Sequence, residues 1–333
     1  MTETKTTIEL LGEFGLISRI TGRVAPHESV ITGLGDDAAV TSLSPGMRLL
    51  TSTDMLLEDV HFRRTWHDPF TLGRKSLAVS ISDIAAMGAM PRWALLSVAL
   101  PSGLSLDFID EFMSGFLHIA AEYKIILIGG DTCSSRSGVA ISVTIMGEQN
   151  PDLIICRSGA KPDDDIWVTG TLGDAALGLH MLENGSPASG DLLSRLLNPT
   201  PRVPVALALA EARLATAMID VSDGIGADFG HIAKMSGVGG TIQVADLPLS
   251  DQFRSHTADF PTVPYQFALS GGEDYELCFT AHRCNREKIV NCVKKSGIAV
   301  TRVGIVTKFF GVTLLSCDGT PFTAHTDGFN HFT

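Results

Sequence analysis

The chain has 333 residues, 44% of them apolar, with 33 glycines and 15 prolines spread throughout, which implies two α/β domains with many tight turns rather than one small core. Its 25 Lys and Arg against 37 Asp and Glu leave a net charge of −12. That balance excludes the basic surface required by a nucleic-acid partner or an anionic membrane.

The six cysteines form no C-x-x-C pair and show no zinc-like spacing with histidine, so a reduced protein is expected. Met1 to Thr7 is polar, without the apolar region of a signal peptide. No apolar run reaches the roughly 18–20 residues of a membrane helix. A cytoplasmic location is expected.

In chain order, Glu9 to Ile20 predicts a helix, followed by a loop ending in Gly33-Leu-Gly-Asp-Asp37. Arg48 to Thr53 alternates and predicts a strand delivering Asp54 at its end. Asp68-Pro69 reads as an N-cap with proline at the first helical position. The helix it starts is expected to reach about Gly88, with Leu77, Ile81 and Ile84 on one face. Trp93 to Leu100 predicts a strand and Leu106 to Tyr123 an amphipathic helix. Ile125 to Ile128 predicts a short buried strand feeding Gly129-Gly130-Asp131, and Val139 to Met146 another strand.

The composition turns polar around Arg157-Ser-Gly-Ala-Lys-Pro162. A boundary is expected there, dividing the chain into domains of residues 1–150 and 151–333. The second half continues the alternation: strands at Ile166 to Val168, up to Asp220, Thr241 to Val244, Glu276 to Thr280, Val300 to Val306 and Val312 to Leu315. Its helices are expected at Leu172 to Glu183, Arg202 to Arg213, after Asp223, and at Asn285 to Ser296.

Acids at the ends of apolar segments are the main chemical signal: Asp36-Asp37, Asp54, Asp131, and Asp220 with Asp223. Singly, each is explained by an Asx-turn or an N-cap. Asp83 differs, because Ser76 to Gly88 holds no other charge and such a helix is expected to be buried. A buried carboxylate needs a cation or several donors. If these loops converge, like charges 4 Å apart repel by about 4 kcal/mol at an effective dielectric of 20. Such a cluster persists around divalent cations, and oxygen-only donors favour magnesium or manganese over zinc.

The usual nucleotide motifs are missing. Gly73-Arg-Lys-Ser76 lacks the spacing of a phosphate loop. Gly170 to Gly178 reads equally as phosphate-binding or as close helix packing. Gly129-Gly130 and Gly271-Gly272 either admit phosphate to backbone N–H groups or simply turn the chain. His61 stands out by following Glu58-Asp59 close behind Asp54. Phe329, in Gly328-Phe-Asn-His-Phe332, reads as an aromatic lid or a terminal anchor.

Eight ordered motifs carry a family resemblance: Gly35-Asp-Asp-Ala-Ala-Val40, Ser52-Thr-Asp-Met55 with His61-Phe62, Ser82-Asp-Ile-Ala-Ala-Met-Gly-Ala89, Ile128-Gly-Gly-Asp-Thr132, Arg157-Ser-Gly-Ala-Lys-Pro162, Ile219-Asp-Val-Ser-Asp-Gly224, Ser270-Gly-Gly-Glu-Asp-Tyr-Glu276 and Gly328-Phe-Asn-His-Phe332. In residues and order the chain resembles the thiamine-monophosphate kinases over nearly its whole length. The resemblance implies an α/β (α+β) protein with the two-domain aminoimidazole-ribonucleotide-synthase-like fold. It also implies a homodimer whose N-terminal sheets form an intersubunit barrel. Residues 1–150 would bind ATP and magnesium and dimerise. Residues 151–333 would complete the nucleotide and substrate site, with ATP held between the domains.

By the same resemblance, Asp37, Ser52, Thr53, Asp54, Asp83, Asp131, Asp220 and Asp223 are expected to bind several Mg2+ ions. Gly130, Asp131, Arg157 and Ser222 are expected to contact ATP. His61, Glu273 and Phe329 are expected to contact thiamine monophosphate. No residue is expected to act as a catalytic acid or base. Ser80 stands where the family pattern has asparagine, which implies an altered hydrogen bond beside Asp83.

Two rival readings remain at this point. Another member of the superfamily acting on a different small acceptor shares the fold; a selenophosphate synthetase would need a reactive N-terminal cysteine, whereas the first here is Cys133. A non-catalytic magnesium-binding regulator is the other.

Overall fold

The computed structural model describes residues 7–186, 190–258 and 263–324. The chain divides into two compact units, Met1–Ile84 with Met90–Pro151 and Ala85–Ala89 with Asp152–Thr333.

In the first unit, helix α1 (Ile8–Thr21) precedes a short antiparallel pair, β1 (Val30–Thr32) and β2 (Val40–Thr41). This pair brackets the turn carrying Asp36 and Asp37. Strand β3 (Arg48–Leu57), helix α2 (Pro69–Ala86), β4 (Met90–Pro101), α3 (Leu106–Glu122), β5 (Ile126–Ser135) and β6 (Ala140–Gln149) follow. The four long strands form one sheet in the order β3-β6-β4-β5, parallel only between β4 and β5.

Asp68 caps α2 as expected, accepting from the Thr71 N–H at 3.0 Å. Ser105 caps α3 by accepting from Phe108 N–H. Leu77, Ile81 and Ile84 of α2 are buried. The two helices cross where they carry glycines. A Cβ at Gly73 would lie 2.0 Å from the Phe112 carbonyl oxygen, and one at Gly115 would lie 1.9 Å from that of Phe70. Gly73 is therefore a helix-packing residue and not part of a phosphate loop.

Two expectations are corrected in this sheet. Asp54 lies inside β3, not at its end, because β6 pairs with β3 all the way from Arg48 to Leu57. Alternation also continues past the acid, with Leu50 and Leu56 buried on one face. Gly129-Gly130 is likewise no turn but part of β5. A Cβ at Gly130 would sit 1.8 Å from the Leu96 carbonyl oxygen, so glycine lets the strands pair beside a register shift between Ala94 and Leu95.

The second unit contains β7 (Asp164–Thr169), α4 (Asp174–Glu183), α5 (Gly190–Leu197), α6 (Val203–Glu211), β8 (Ala217–Val221), α7 (Ile225–Ser236) and β9 (Gly239–Gln243). It continues with α8 (Asp251–His256), α9 (Val263–Ser270), β10 (Glu276–His282), α10 (Arg286–Lys294), β11 (Val300–Thr307) and β12 (Gly311–Leu315). Its sheet runs β12-β9-β11-β7-β10-β8, and only β12 with β9 is parallel. The core packs Ile166, Val168, Ile219, Val221, Phe229 and Ile232 between sheet and helices. Helices α5, α8 and α9 have no counterpart in the sequence reading; each spans eight residues or fewer, too short for a helical period to emerge. Gly178 lets α4 approach α5, its would-be Cβ lying 2.9 Å from the Leu192 carbonyl oxygen, which settles that glycine run as packing at this point. Among the described residues no helix is long and apolar enough to cross a membrane.

Candidate active site

Strand alternation divides the acids of the first unit between two faces of one sheet. On the face toward α2, the Ser52 hydroxyl donates to Asp83 and the Ser80 hydroxyl donates to Asp54 at 2.7 Å. The altered hydrogen bond expected from Ser80 thus falls on Asp54 rather than beside Asp83. Burial and then the Asp83 charge push the Asp54 carboxyl up to about 6, against the opposing hydrogen bond from Ser80. Asp83 is half-buried rather than fully buried.

On the opposite face, the Thr53 hydroxyl pairs with that of Thr144 at 3.1 Å. Thr144 lines a cavity of about 690 Å³, together with the Gly33 to Ala39 turn, Leu95 to Val98 and Leu127 to Thr132. Asp37 and Asp131 are both on its wall and both exposed. Asp36 accepts the Asp37 N–H at 2.8 Å, and Asp131 accepts the Thr132 N–H at 2.9 Å. Each is a local Asx contact that fixes the acid's own backbone. The cavity therefore joins a glycine turn, three exposed carboxylates (Asp36, Asp37 and Asp131) and the Gly129-Gly130 backbone. Among the described residues no three His, Cys, Asp or Glu side chains are grouped to hold a metal ion.

His61 follows β3 in a tight turn. Its Nδ1 accepts the Leu57 N–H at 3.0 Å, which puts the neutral ring's proton on Nε2. Glu58 anchors the same turn by accepting from Val139 N–H at 2.8 Å and pairing with Arg64.

In the second unit, Asp220 is the penultimate residue of β8, and Ser222 and Asp223 form the turn into α7. Both turn N–H groups donate to one oxygen of Asp228, each at 3.1 Å. Burial, then the charge of Asp220, holds the Asp228 carboxyl well above the usual range. The loop Gly271 to Tyr275 is tied to this turn: Glu273 N–H donates to the Ser222 carbonyl and Tyr275 N–H to that of Val221, both at 2.8 Å. Glu273 and Tyr275 both hold positive φ, 60° and 49°, a strain that those two bonds support. Arg157 is exposed, and its loop is tied to the end of α7 through Ser236, which accepts from Gly159 and Ala160 N–H at 3.1 and 3.2 Å.

Beside Glu273, two buried acids behave oppositely. Burial pushes Asp274 up to about 8, offset in part by the Gly173 N–H and the Arg195 charge. Burial acts on Glu276 in the same sense, but Arg202 and then Arg195 hold its carboxyl below the usual range. The Arg202 Nε donates to Glu276 at 2.7 Å. Glu276 is thus part of a buried ion network that braces the loop bearing Glu273.

Phe329 lies outside the described residues. The sequence reading missed Asp228 and Ser236, both polar residues on a mostly apolar helix. Asp228 had a visible signal, an acid five and six residues beyond Asp223 and Ser222 in the first turn of a predicted helix. Ser236 had none.

The model of the family "AIR synthase related protein, N-terminal domain" matches residues 35–149. The thiamine-monophosphate kinase of Salmonella typhimurium is 39% identical over 327 residues, covering 96% of this chain and 98% of that protein. The crystal structure of thiamine-monophosphate kinase from Stenotrophomonas maltophilia superposes with a TM-score of 0.83 at 38% identity, covering 93% of this chain and 98% of that one. A structure of AaThiL complexed with AMPPCP and TMP superposes with a TM-score of 0.76 at 32% identity, covering 99% and 100%.

Proposed function

The chain belongs to the thiamine-monophosphate kinases, and from that membership we propose that it transfers the γ-phosphoryl group of ATP to thiamine monophosphate, giving thiamine diphosphate and ADP. The observation that carries this reading is similarity over almost the full length to a protein seen with an ATP analogue and TMP together. It is a kinase in which positioning and charge dominate. The acceptor phosphate, with a second pKa near 6, is mostly ionised at neutral pH. No general base is required to create the nucleophile.

Magnesium fits the oxygen donors present. Asp54 and Asp83 repel each other, are half-buried and are flanked by the hydroxyls of Ser52 and Ser80. A hard divalent cation relieves that repulsion. We assign Asp37, Ser52, Thr53, Asp54, Asp83, Asp131, Asp220 and Asp223 to Mg2+ ions, which when bound neutralise phosphate charge. Gly130, Asp131, Arg157 and Ser222 are assigned to ATP, and His61, Glu273 and Phe329 to the acceptor. Through Nε2–H, His61 donates to an acceptor oxygen without changing its own charge.

Residues 1–150 then carry ATP and magnesium binding and dimerisation, while residues 151–333 supply Arg157, Ser222 and Glu273. Exposed Leu49 and Met55 on the outer face of β3 support a homodimer in which that sheet joins its copy as a barrel. A cytoplasmic location accords with six free cysteines.

The test is product chromatography of the purified protein with ATP and a panel of phosphorylated acceptors. Thiamine diphosphate and ADP should form, and excess EDTA should abolish the reaction. Turnover with some other acceptor alone would overturn the assignment.

A further inference from the structure

Helix α7 is gripped at both ends by loops that the proposed function gives to ATP. At its first turn, one carboxylate oxygen of the buried Asp228 accepts the N–H groups of Ser222 and Asp223. At its last residue, the Ser236 hydroxyl accepts the N–H groups of Gly159 and Ala160 and donates to the Arg157 carbonyl at 3.3 Å. That hydroxyl thus makes three bonds, its full capacity.

The two loops also meet through β8. Met218 N–H donates to the Cys156 carbonyl at 3.0 Å, and β8 runs on to Val221, directly before Ser222. The 12 residues of α7 span about 18 Å, and Phe229 and Ile232 on its buried face are fully enclosed. The helix is therefore a rigid spacer between two loops that would otherwise sample many conformations. Fixing them beforehand spares the ordering that each bound side chain would require. Neither Asp228 nor Ser236 touches a group assigned to substrate by its side chain. Each acts on backbone.

We propose that Asp228 and Ser236 are positioning residues for the nucleotide, holding Ser222-Asp223 and the Arg157 loop at a spacing set by α7. This rests on the assignment of Arg157 and Ser222 to ATP. The experiment is steady-state kinetics of the full-length enzyme, varying ATP and thiamine monophosphate separately, with melting curves for each variant. Ser236→Ala should raise the KM for ATP about three- to tenfold, the effect of losing hydrogen bonds of ordinary strength. The KM for thiamine monophosphate should stay within about twofold, and Ser236→Thr, which keeps the hydroxyl, should restore the parent value.

Asp228→Ala leaves two N–H groups without their acceptor at a cost to folding that the melting curve reads, so Asp228→Asn accompanies it. The amide oxygen keeps an acceptor in place, and its ATP KM should fall between those of parent and alanine variants. Arg157→Ala separates the two levels of the argument. If it raises the ATP KM while Ser236→Ala lowers only the melting temperature, the positioning role is wrong and the site assignment stands. If Arg157→Ala also leaves the ATP KM unchanged, the assignment beneath the proposal fails.

Discussion

The Ser80 hydroxyl on α2 donates to the Asp54 carboxylate on β3 at 2.7 Å, so a helix hydroxyl holds an acid assigned to magnesium. Ser80 is completely buried, and the bond favours the charged form of Asp54. Ser80→Ala should raise the magnesium concentration for half-maximal activity about three- to tenfold, the scale of a lost hydrogen bond to a charged group. Ser80→Asn retains a donor and should recover part of that loss. A magnesium titration of activity checks both. An unchanged midpoint in the alanine variant would remove Ser80 from the metal site.

Asp83 repels Asp54 and is assigned to the same cation. Asp83→Asn should lower turnover at least about 100-fold, as loss of a charge-stabilising group does. Without metal the variant should be as stable as the parent or more so, by no more than about 1 kcal/mol after solvent screening. Asp131→Asn, on the cavity wall, should behave alike. Asp36→Asn should be mild, because Asp36 serves the Asp37 N–H and an asparagine oxygen accepts that bond equally well. Activity and melting curves in EDTA and in magnesium decide it. Near-normal turnover in Asp83→Asn across the magnesium range defeats the assignment.

What the sequence revealed, and what it hid, follows from the range of each signal. The long helices α2 and α3 were legible because they carry a cap and many apolar repeats. The acids were legible as a set, but not their division between two faces. That division depends on β3 continuing through Asp54, and it is β6, about 90 residues away, that keeps β3 extended. The strand through Gly129-Gly130 was hidden for a similar reason. Its requirement for glycine comes from the Leu96 carbonyl on a neighbouring strand, not from local turn chemistry. Ser236 was invisible because it acts on backbone about 77 residues earlier in the chain.

Asp274 predicts a pH dependence of stability. Its carboxyl sits at about 8 in the folded protein, mainly through burial, with Arg195 opposing and Asp174 and Glu276 reinforcing the rise. Its unfolded value is near the ordinary 3.8. Between these values the folded state holds a proton that the unfolded state has lost. The stabilisation is therefore complete below about pH 4 and is lost as pH rises through about 8. Asp274→Asn cannot ionise, so it should gain on the parent over that window, by on the order of 1–3 kcal/mol at the alkaline end. Urea unfolding at several pH values measures it. Parallel profiles for parent and variant would show that Asp274 does not titrate in this range.

Direct transfer, without a phosphoenzyme, is the last expectation. A covalent route needs a nucleophile activated by a neighbouring base. The best-placed hydroxyl is that of Ser52, which donates its hydrogen bond to Asp83. Asp83, however, is assigned to a cation, and a carboxylate so engaged is a weak base. Ser80 is completely buried behind Asp54. His61 has its Nδ1 lone pair committed to the Leu57 N–H, and the remaining nitrogen carries the proton, so the ring is a donor rather than a nucleophile. Cys133 is exposed on β5, two residues beyond Asp131 and therefore on the same strand face as an acid assigned to magnesium. The acceptor phosphate, by contrast, arrives ionised and needs no activation. A single in-line displacement therefore asks least of these residues. ATP made chiral at the γ-phosphorus should transfer with inversion, and initial-rate plots for the two substrates should intersect. Ser52→Ala should raise the magnesium concentration for half-maximal activity without changing that stereochemistry. Retention of configuration, or exchange between ADP and ATP in the absence of acceptor, would establish a phosphorylated enzyme instead.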